Sequence, residues 1–455
     1  MKRLPSIAAL ALMGISATAT ATDLMSAWQA ALTHDPEIAA ARALHEQATF
    51  RQEQAKALWA PMVSAGGALG VGGADSRIKG AEAMGQSDVA FKTNVNAGTL
   101  ARASIGAQKA WISPEREAQS KQLELSAQIA QTQWQQAQQA LIMRTAQRYF
   151  DVMGAEQTLT VLQRQQKTMQ QAAAEINKRQ SVGDASVMDV QEANARVSEI
   201  RAHVLMHENN LATKKVAYRQ LTGQEPTQLL SIDSIHLTPT HLADANTWVQ
   251  RAKQQSPNLQ MMGLQQAIQS QEAKRVKAGN AMTVDWVAQA QMDRLSGQGM
   301  YGSASNHTAQ YMVGIQLSAP LSTGGMLESR EREALKQVEK LRYDQEAVEQ
   351  QVEQQVRDAW QNLSTAQARL QALTQSEQAS KARLTSTRQA HRTGARTTNE
   401  LLGAQHDAAQ TELALVQLRI QTATDQLRLF AASGELGETQ LRQVNAWLKR
   451  DREIP

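Results

Sequence analysis

The chain of 455 residues contains no cysteine, so no disulfide can staple it and no lipidated N-terminal cysteine can anchor it. Aromatic residues are scarce, 4% against 42% hydrophobic residues in all, a poor stock for a large globular core and typical of long helices and coiled coils. There are only nine prolines, and residues 326–393 hold neither proline nor glycine, so nothing interrupts a helix there. Beyond the N-terminus no run approaches about 18 consecutive apolar residues, so no membrane-spanning helix is expected. The formal charge of +4 is small for the length and gives no footprint for nucleic acid.

Chemistry-bearing constellations are also missing. No Ser/His/Asp or Cys/His arrangement can be argued from spacing. His203 and His207 are four apart on a predicted helix, a spacing that can bind metal, but no third ligand accompanies them. The glycines at 66, 67, 70, 72 and 73 are followed by no Lys-Ser/Thr, so they read as small strand and loop residues and not as a phosphate loop. The expectation is a protein that is not an enzyme, with no cofactor and no metal.

What is present begins with a targeting segment. Lys2 and Arg3, the apolar run Ile7 to Ile15 and the Ala19-Thr20-Ala21 signal mark residues 1–21 as a signal peptide. An exported chain without spanning helices is periplasmic, secreted or an outer-membrane β-barrel.

The rest is arranged twice. Ala31 to Pro36 matches Ala252 to Pro257 at an offset of 221, and Pro36 and Pro257 each open a helix. Gly183 matches Gly394 at an offset of 211, which places Asp189 on Glu400. Each glycine lies between two helical patterns, as a residue with positive φ that ends a helix does. The chain therefore reads as a tandem duplication. Residues 22–240 form the first repeat, 241–433 the second, and 434–455 a C-terminal equatorial segment.

Each repeat holds two stretches with a period of two. Odd positions from Phe91 to Ala107 are mostly apolar or small, and the even ones are mostly polar. Strands are expected at about 62–72, 90–112, 283–293 and 310–321, joined by loops over 74–89 and 295–309. Four strands among so much helix have no second apolar layer to pack on, which favours a membrane barrel over a soluble sandwich. Four strands cannot close a barrel, because bacterial ones start at eight, so several chains must share one. Trp59, Trp111 and Trp286 lie at or within strand patterns, where interfacial aromatics belong.

The helices carry apolar stripes spaced 3.5 residues, such as Val352, Val356, Ala359, Leu363, Ala366, Leu370 and Leu373. A second stripe runs Leu402, His406, Ala409, Leu413, Val416, Ile420, Ala423, Leu427 and Phe430. That period belongs to supercoiled helices with narrow seams. Residues 115–182 and 326–393 would each span roughly 100 Å as a helix at 1.5 Å per residue.

Together these features resemble the TolC-type outer-membrane efflux and secretion channels. The resemblance rests on the tips Val182-Gly183 with Met188-Asp189-Val190 and Thr393-Gly394-Ala395-Arg396-Thr397 with Glu400-Leu401-Leu402, on Ala319-Pro320-Leu321-Ser322-Thr323-Gly324-Gly325, and on the helix starts at Pro36 and Pro257. It implies a mainly α fold with a membrane β-barrel: a homotrimer whose twelve-stranded barrel, four strands per chain, continues into a long periplasmic α-helical coiled-coil tunnel. It further implies an exit duct in the outer membrane of a Gram-negative bacterium, passive, in contact with outer-membrane lipid. A periplasmic adaptor and an inner-membrane pump of the RND, ABC or MFS type would open it.

For the channel gate the resemblance points to Asp189 and Arg396 as a linking pair and to Glu400 as an acidic aperture ring. His391 stands where the family has an aromatic gate partner, Met188 where it often has Thr, and Gly403 where a second acid can sit. This suggests one acidic ring where the best-known arrangement has two. Val182, Gly183, Asp184, Thr393, Gly394 and Ala395 would contact the adaptor. The alternative reading is a periplasmic coiled-coil adaptor or scaffold without a barrel.

Overall fold

The computed structural model describes residues 22–83, 86–232, 235, 243–299 and 302–449. The signal peptide and the end of the equatorial segment lie outside them. The chain divides into two compact units, one built from residues 1–42, 134–259 and 348–455, the other from 43–133 and 260–347.

One succession of elements occurs twice. First come α1 (Leu24–His34), α2 (Pro36–Ala57), β1 (Met62–Ala83), β2 (Gln86–Ile112), α3 (Pro114–Ser181) and α4 (Val187–Thr222), then the short β3 (Ser231–Ile232). The second run is α5 (Ala245–Gln255), α6 (Pro257–Ala278), β4 (Thr283–Gly299), β5 (Gly302–Ser318), α7 (Met326–Arg392) and α8 (Thr398–Ser433). It closes with α9 (Glu438–Asn445) and β6 (Leu448–Lys449). The helices match in length, 11 and 11, 22 and 22, 68 and 67, 36 and 36 residues. The strands do not, at 22 and 27 residues in the first run against 17 and 17 in the second.

Local chemistry sets the helix ends. Asp23 caps α1 by accepting from the Ser26 N–H. Proline stands first in α2, α3 and α6, where a missing N–H costs no hydrogen bond. Gly223 and Gly434 end α4 and α8 at φ 71° and 80°, in the left-handed region that glycine enters without strain.

The unit that includes residues 134–259 holds the main core. Leu24, Tyr149, Phe150, Tyr218, Trp248, Val356, Leu427 and Leu441 are all buried in it. Each such apolar side chain contributes about 1.5–3 kcal/mol by leaving water. Tyr149 and Phe150 meet edge to face at 5.8 Å between ring centroids. β3 and β6 pair antiparallel, and Ile232 and Leu448 join the same core.

The α7 stripe is observed as expected from Val352 to Ala366, all buried. The α8 stripe is buried at Leu402 and again at Ala423, Leu427 and Phe430, but not between. Toward the tip the buried positions are Leu401, Leu402, Ala404, Gln405, Ala408, Leu415 and Leu418, and His406 is exposed. The reason is that α8 serves two seams there. Leu402 packs with Leu162 and Met169 of α3 and Ile200 and Val204 of α4, while Asp407 pairs with Arg383 of α7.

The other unit carries the sheet, in the order β1-β2-β4-β5, antiparallel throughout. The strands are longer than the alternation suggested. Much of residues 74–89 and 295–309, expected as loops, continues the two hairpins, with register shifts beyond Gly72 in the first and an unbroken register in the second. Small Gly, Ala and Ser residues hide the two-residue period there without preventing backbone pairing.

The register gives the sheet two chemical faces. On one, Ala65, Ile105, Ala290 and Tyr311 align across all four strands, as do Val63, Ala107, Ala288 and Val313. This apolar face is bare: Leu69, Val71, Tyr311 and Val313 are each at least 80% exposed. The opposite face aligns Gly66, Ser104, Gln291 and Gln310, and beside them Arg102 pairs with Asp293 at 2.7 Å. Gln108 donates to Asp285 at 3.0 Å on that same face, where the Leu100–Leu295 pair is an apolar exception. Among the described residues, no strand pairs with the outer edges of β1 and β5.

Candidate functional site at the hairpin tips

Both sequence-predicted tips lie in the unit with the main core, and their backbones are built alike. At the end of α3, Gly183 has φ 84°, its N–H donates to the Gln180 carbonyl at 3.0 Å, and the Asp184 N–H donates to the Arg179 carbonyl at 2.8 Å. At the end of α7, Gly394 has φ 75°, with its N–H on the His391 carbonyl at 3.1 Å and the Ala395 N–H on the Ala390 carbonyl at 2.9 Å. Each is the paired-bond glycine stop that satisfies the last carbonyls of a helix.

The next helix starts the same way in both. Ser186 caps α4: its Oγ accepts from the Asp189 N–H at 3.1 Å, and the Asp189 carboxylate accepts from the Ser186 N–H at 3.0 Å. Thr397 caps α8 reciprocally with Glu400, at 3.3 and 2.8 Å. Ser-x-x-Asp and Thr-x-x-Glu are capping boxes, in which two orphan N–H groups are satisfied at once. The roles of Ser186 and Thr397 were missed in the sequence, although the S/T-x-x-D/E spacing was there to find them.

The capping boxes fix the electrostatics of the two predicted acids. Hydrogen bonds from the Ser186 hydroxyl and N–H hold the Asp189 carboxyl below the usual carboxylate range. The Thr397 N–H, then the Arg396 guanidinium, lower Glu400 in the same way. Arg396 pairs with Glu400, one turn along its own hairpin. Asp189 and Arg396 are therefore not brought together: among the described residues of one chain, each has another partner.

The remaining tip residues differ between hairpins. Val182, Val187 and Met188 are 64–79% exposed at the first tip. The positions 211 residues later are Thr393, Thr398 and Asn399. Asp184 is exposed, 3.8 Å from the Arg179 guanidinium, and its counterpart is Ala395. His391 is buried, with Nε2 3.2 Å from the Thr398 Oγ1. At Gly403 an added Cβ would meet nothing within 4 Å, so no close contact requires glycine there.

Two exposed hairpin tips with one backbone and different side chains, and a sheet with one bare apolar face and two open edges, are the features to compare with known proteins. The sequence profile of the outer membrane efflux protein family matches residues 27–224 and 248–435. The chain belongs to that family. Outer membrane protein TolC of Vibrio cholerae serotype O1 is similar to it, 24% identical across 98% of this chain and 99% of its own. Proteases secretion protein PrtF of Dickeya chrysanthemi is 21% identical over 70% of each. The Campylobacter jejuni CmeC outer membrane channel shares the fold, with a TM-score of 0.74 at 13% identity, covering 94% of this chain and 90% of that one. The protein is an outer-membrane exit duct of this family, and its relatives are channels, not enzymes. The alternative, a periplasmic coiled-coil adaptor or scaffold without a membrane barrel, is not favoured.

Proposed function

We propose that three copies of this chain form one passive export channel, each contributing four strands to a twelve-stranded barrel. The observation that carries this is the sheet. An open edge in lipid leaves each unpaired backbone group at a cost of several kcal/mol, so β1 of one copy must pair with β5 of the next. The apolar face then meets lipid and the polar face lines water. The number three comes from the family resemblance.

The rest of the reading follows from that assembly. The long helices of the three copies form a periplasmic tunnel, and the two runs of matched elements are a tandem duplication, with the difference between repeats absorbed in strand length. No chemistry is performed. A periplasmic adaptor and an inner-membrane pump, of the RND, ABC or MFS type, supply the energy and bind the open tips better than the closed ones. The cargo is a small toxic compound or a secreted protein; PrtF, by its name a protease secretion protein, supports the second.

At the tips, Asp189 of one hairpin and Arg396 of another link across copies in the closed state. Glu400 forms an acidic ring that concentrates cations. Native mass spectrometry of the whole protein extracted from outer membranes tests the assembly: trimers are expected, and a stable monomer or dimer would refute the shared barrel.

A further inference from the structure

The apolar face of the sheet has two chemically different limits. At one, Trp111 and Trp286 stack with centroids 5.8 Å apart, and Lys109 is the cross-strand neighbour of Trp286. Along β4 from Trp286, the same face carries Ala288, Ala290 and Met292, then Arg294. Along β5 the neighbours are Ile315, Val313, Tyr311 and Ala309, then His307, directly paired with Arg294. Beyond them β4 and β5 turn to Ser296 and Ser305 on this face, while β1 stays apolar through Leu69 and Val71 in the same rows.

The spacing between the two limits is that of a bilayer. Residues 286 to 294 make nine positions, and a tilted spanning strand needs about 9–11. Amphipathic aromatics mark one interface. The other is marked by a guanidinium and an imidazole, both exposed.

Arg294 differs from its neighbour on the opposite face. Arg102 is neutralised by Asp293, whose carboxylate is on the polar side. Arg294 forms no ion pair among the described residues. A cation at the border of a lipid-facing surface finds its counter-ion in the lipid. Chain direction says which leaflet. α3 begins two residues after β2 ends, on the tryptophan side, while both strand hairpins turn beyond Arg294. With the helices in the periplasm, Arg294 and His307 are at the level of the outer leaflet.

We propose that Arg294, with His307 as a second donor, binds the phosphate headgroup of an anionic outer-leaflet lipid, once per copy. This rests on the barrel reading above. The guanidinium fork matches a phosphate with two parallel N–H···O bonds, and the imidazole can add a third donor. Lysine at 294 would keep the charge and lose the fork.

The test uses the full-length protein, delipidated in detergent and then offered lipid A, either bisphosphorylated or fully dephosphorylated, with bound lipid counted by native mass spectrometry. The wild type should bind the bisphosphorylated form and not the dephosphorylated one. Arg294→Gln should weaken that binding by about tenfold, Arg294→Lys by less, and His307→Gln by less again. Arg102→Gln, on the polar face, should leave it unchanged. The proposal is overturned if Arg294→Gln binds as the wild type does, or if the dephosphorylated lipid binds equally well. Displacement of lipid A by millimolar inorganic phosphate alone would also overturn it, in favour of a free-anion site. The same spectra report oligomeric state. Trimers with unchanged lipid binding would defeat this proposal alone, whereas absence of trimers in the wild type would defeat the barrel reading beneath it.

Discussion

The two runs of the chain agree at the sheet and diverge at the tips. In the sheet, both strand hairpins present the same apolar face and the same polar face, although the first is longer and its ladder shifts register beyond Gly72. At the tips the backbones agree down to the hydrogen bonds that stop and restart the helices, but the first exposes Val182, Val187 and Met188 where the second carries Thr393, Thr398 and Asn399. In the proposed channel, the difference teaches what each region answers to. Lipid is the same around a whole barrel, so it imposes one pattern on every strand. A protein partner and a gate impose no such uniformity, and two equivalent scaffolds are free to carry different chemistry.

The largest expected effect tests the agreement. Ile105 of β2 and Ile315 of β5 both belong to the apolar face. Arginine at either should cost about 2–4 kcal/mol if near the bilayer midplane, and nearly the same in both runs. Gln316→Arg, on the polar face, should cost less. Heat-induced dissociation of the assembled protein, followed on gels, reads this order. A large disparity between Ile105→Arg and Ile315→Arg would mean that the two strand hairpins do not share one lipid environment.

A smaller effect separates scaffold from side chain. Gly183→Ala and Gly394→Ala each force a Cβ into the left-handed region, costing about 1 kcal/mol. Hydrogen exchange at 184–190 and 395–401 should accelerate by similar factors in the two variants. Conductance should not respond so evenly. Arg396→Ser should raise single-channel conductance in planar bilayers, and Asp184→Ser should change it less. Similar responses would assign the gate to the shared backbone.

The acids give a finer test. Glu400→Gln removes the charge yet keeps an N3 residue able to complete the capping box, so it isolates the ring from the helix start. Cation selectivity should fall in Glu400→Gln while exchange at 398–401 stays near wild type.

The smallest effect is one of pH. Both carboxyls are lowered in the folded chain, so their contribution is complete above the unfolded value, near about 4, and is lost as pH falls through the lowered folded values. Tip amides should therefore exchange faster, relative to mid-helix amides, only below about pH 4, after correction for intrinsic rates. Asp189→Asn and Glu400→Gln should each abolish that dependence at their own tip.

Much of this was legible in the sequence, for physical reasons that also explain the gaps. Gly183 and Gly394 stood out because few other residues tolerate positive φ between two helices. Asp189 and Glu400 each stand three residues after a Ser or Thr, and that spacing carries their reach back to Ser186 and Thr397. The strand faces were readable wherever Val, Ile, Leu and Tyr alternate with polar residues. Across 74–89 and 295–309 the alternation fades into glycine, alanine and serine, and the strands continue unseen. The α8 stripe misled because a single 3.5-residue seam was assumed where the helix packs on two sides.

The central claim is that β1 of one copy pairs with β5 of the next until the ring closes. The absence of native cysteine makes a direct measurement clean. Cysteine pairs, one scanned along β1 from 63 to 71 and one along β5 from 311 to 317, would be oxidised in intact outer membranes and separated by mass without reductant. The account predicts a covalent ladder of one, two and three chains, ending at three, for the pairs in register. A ladder that ends at two, one that continues past three, or cross-links confined within single chains would contradict it.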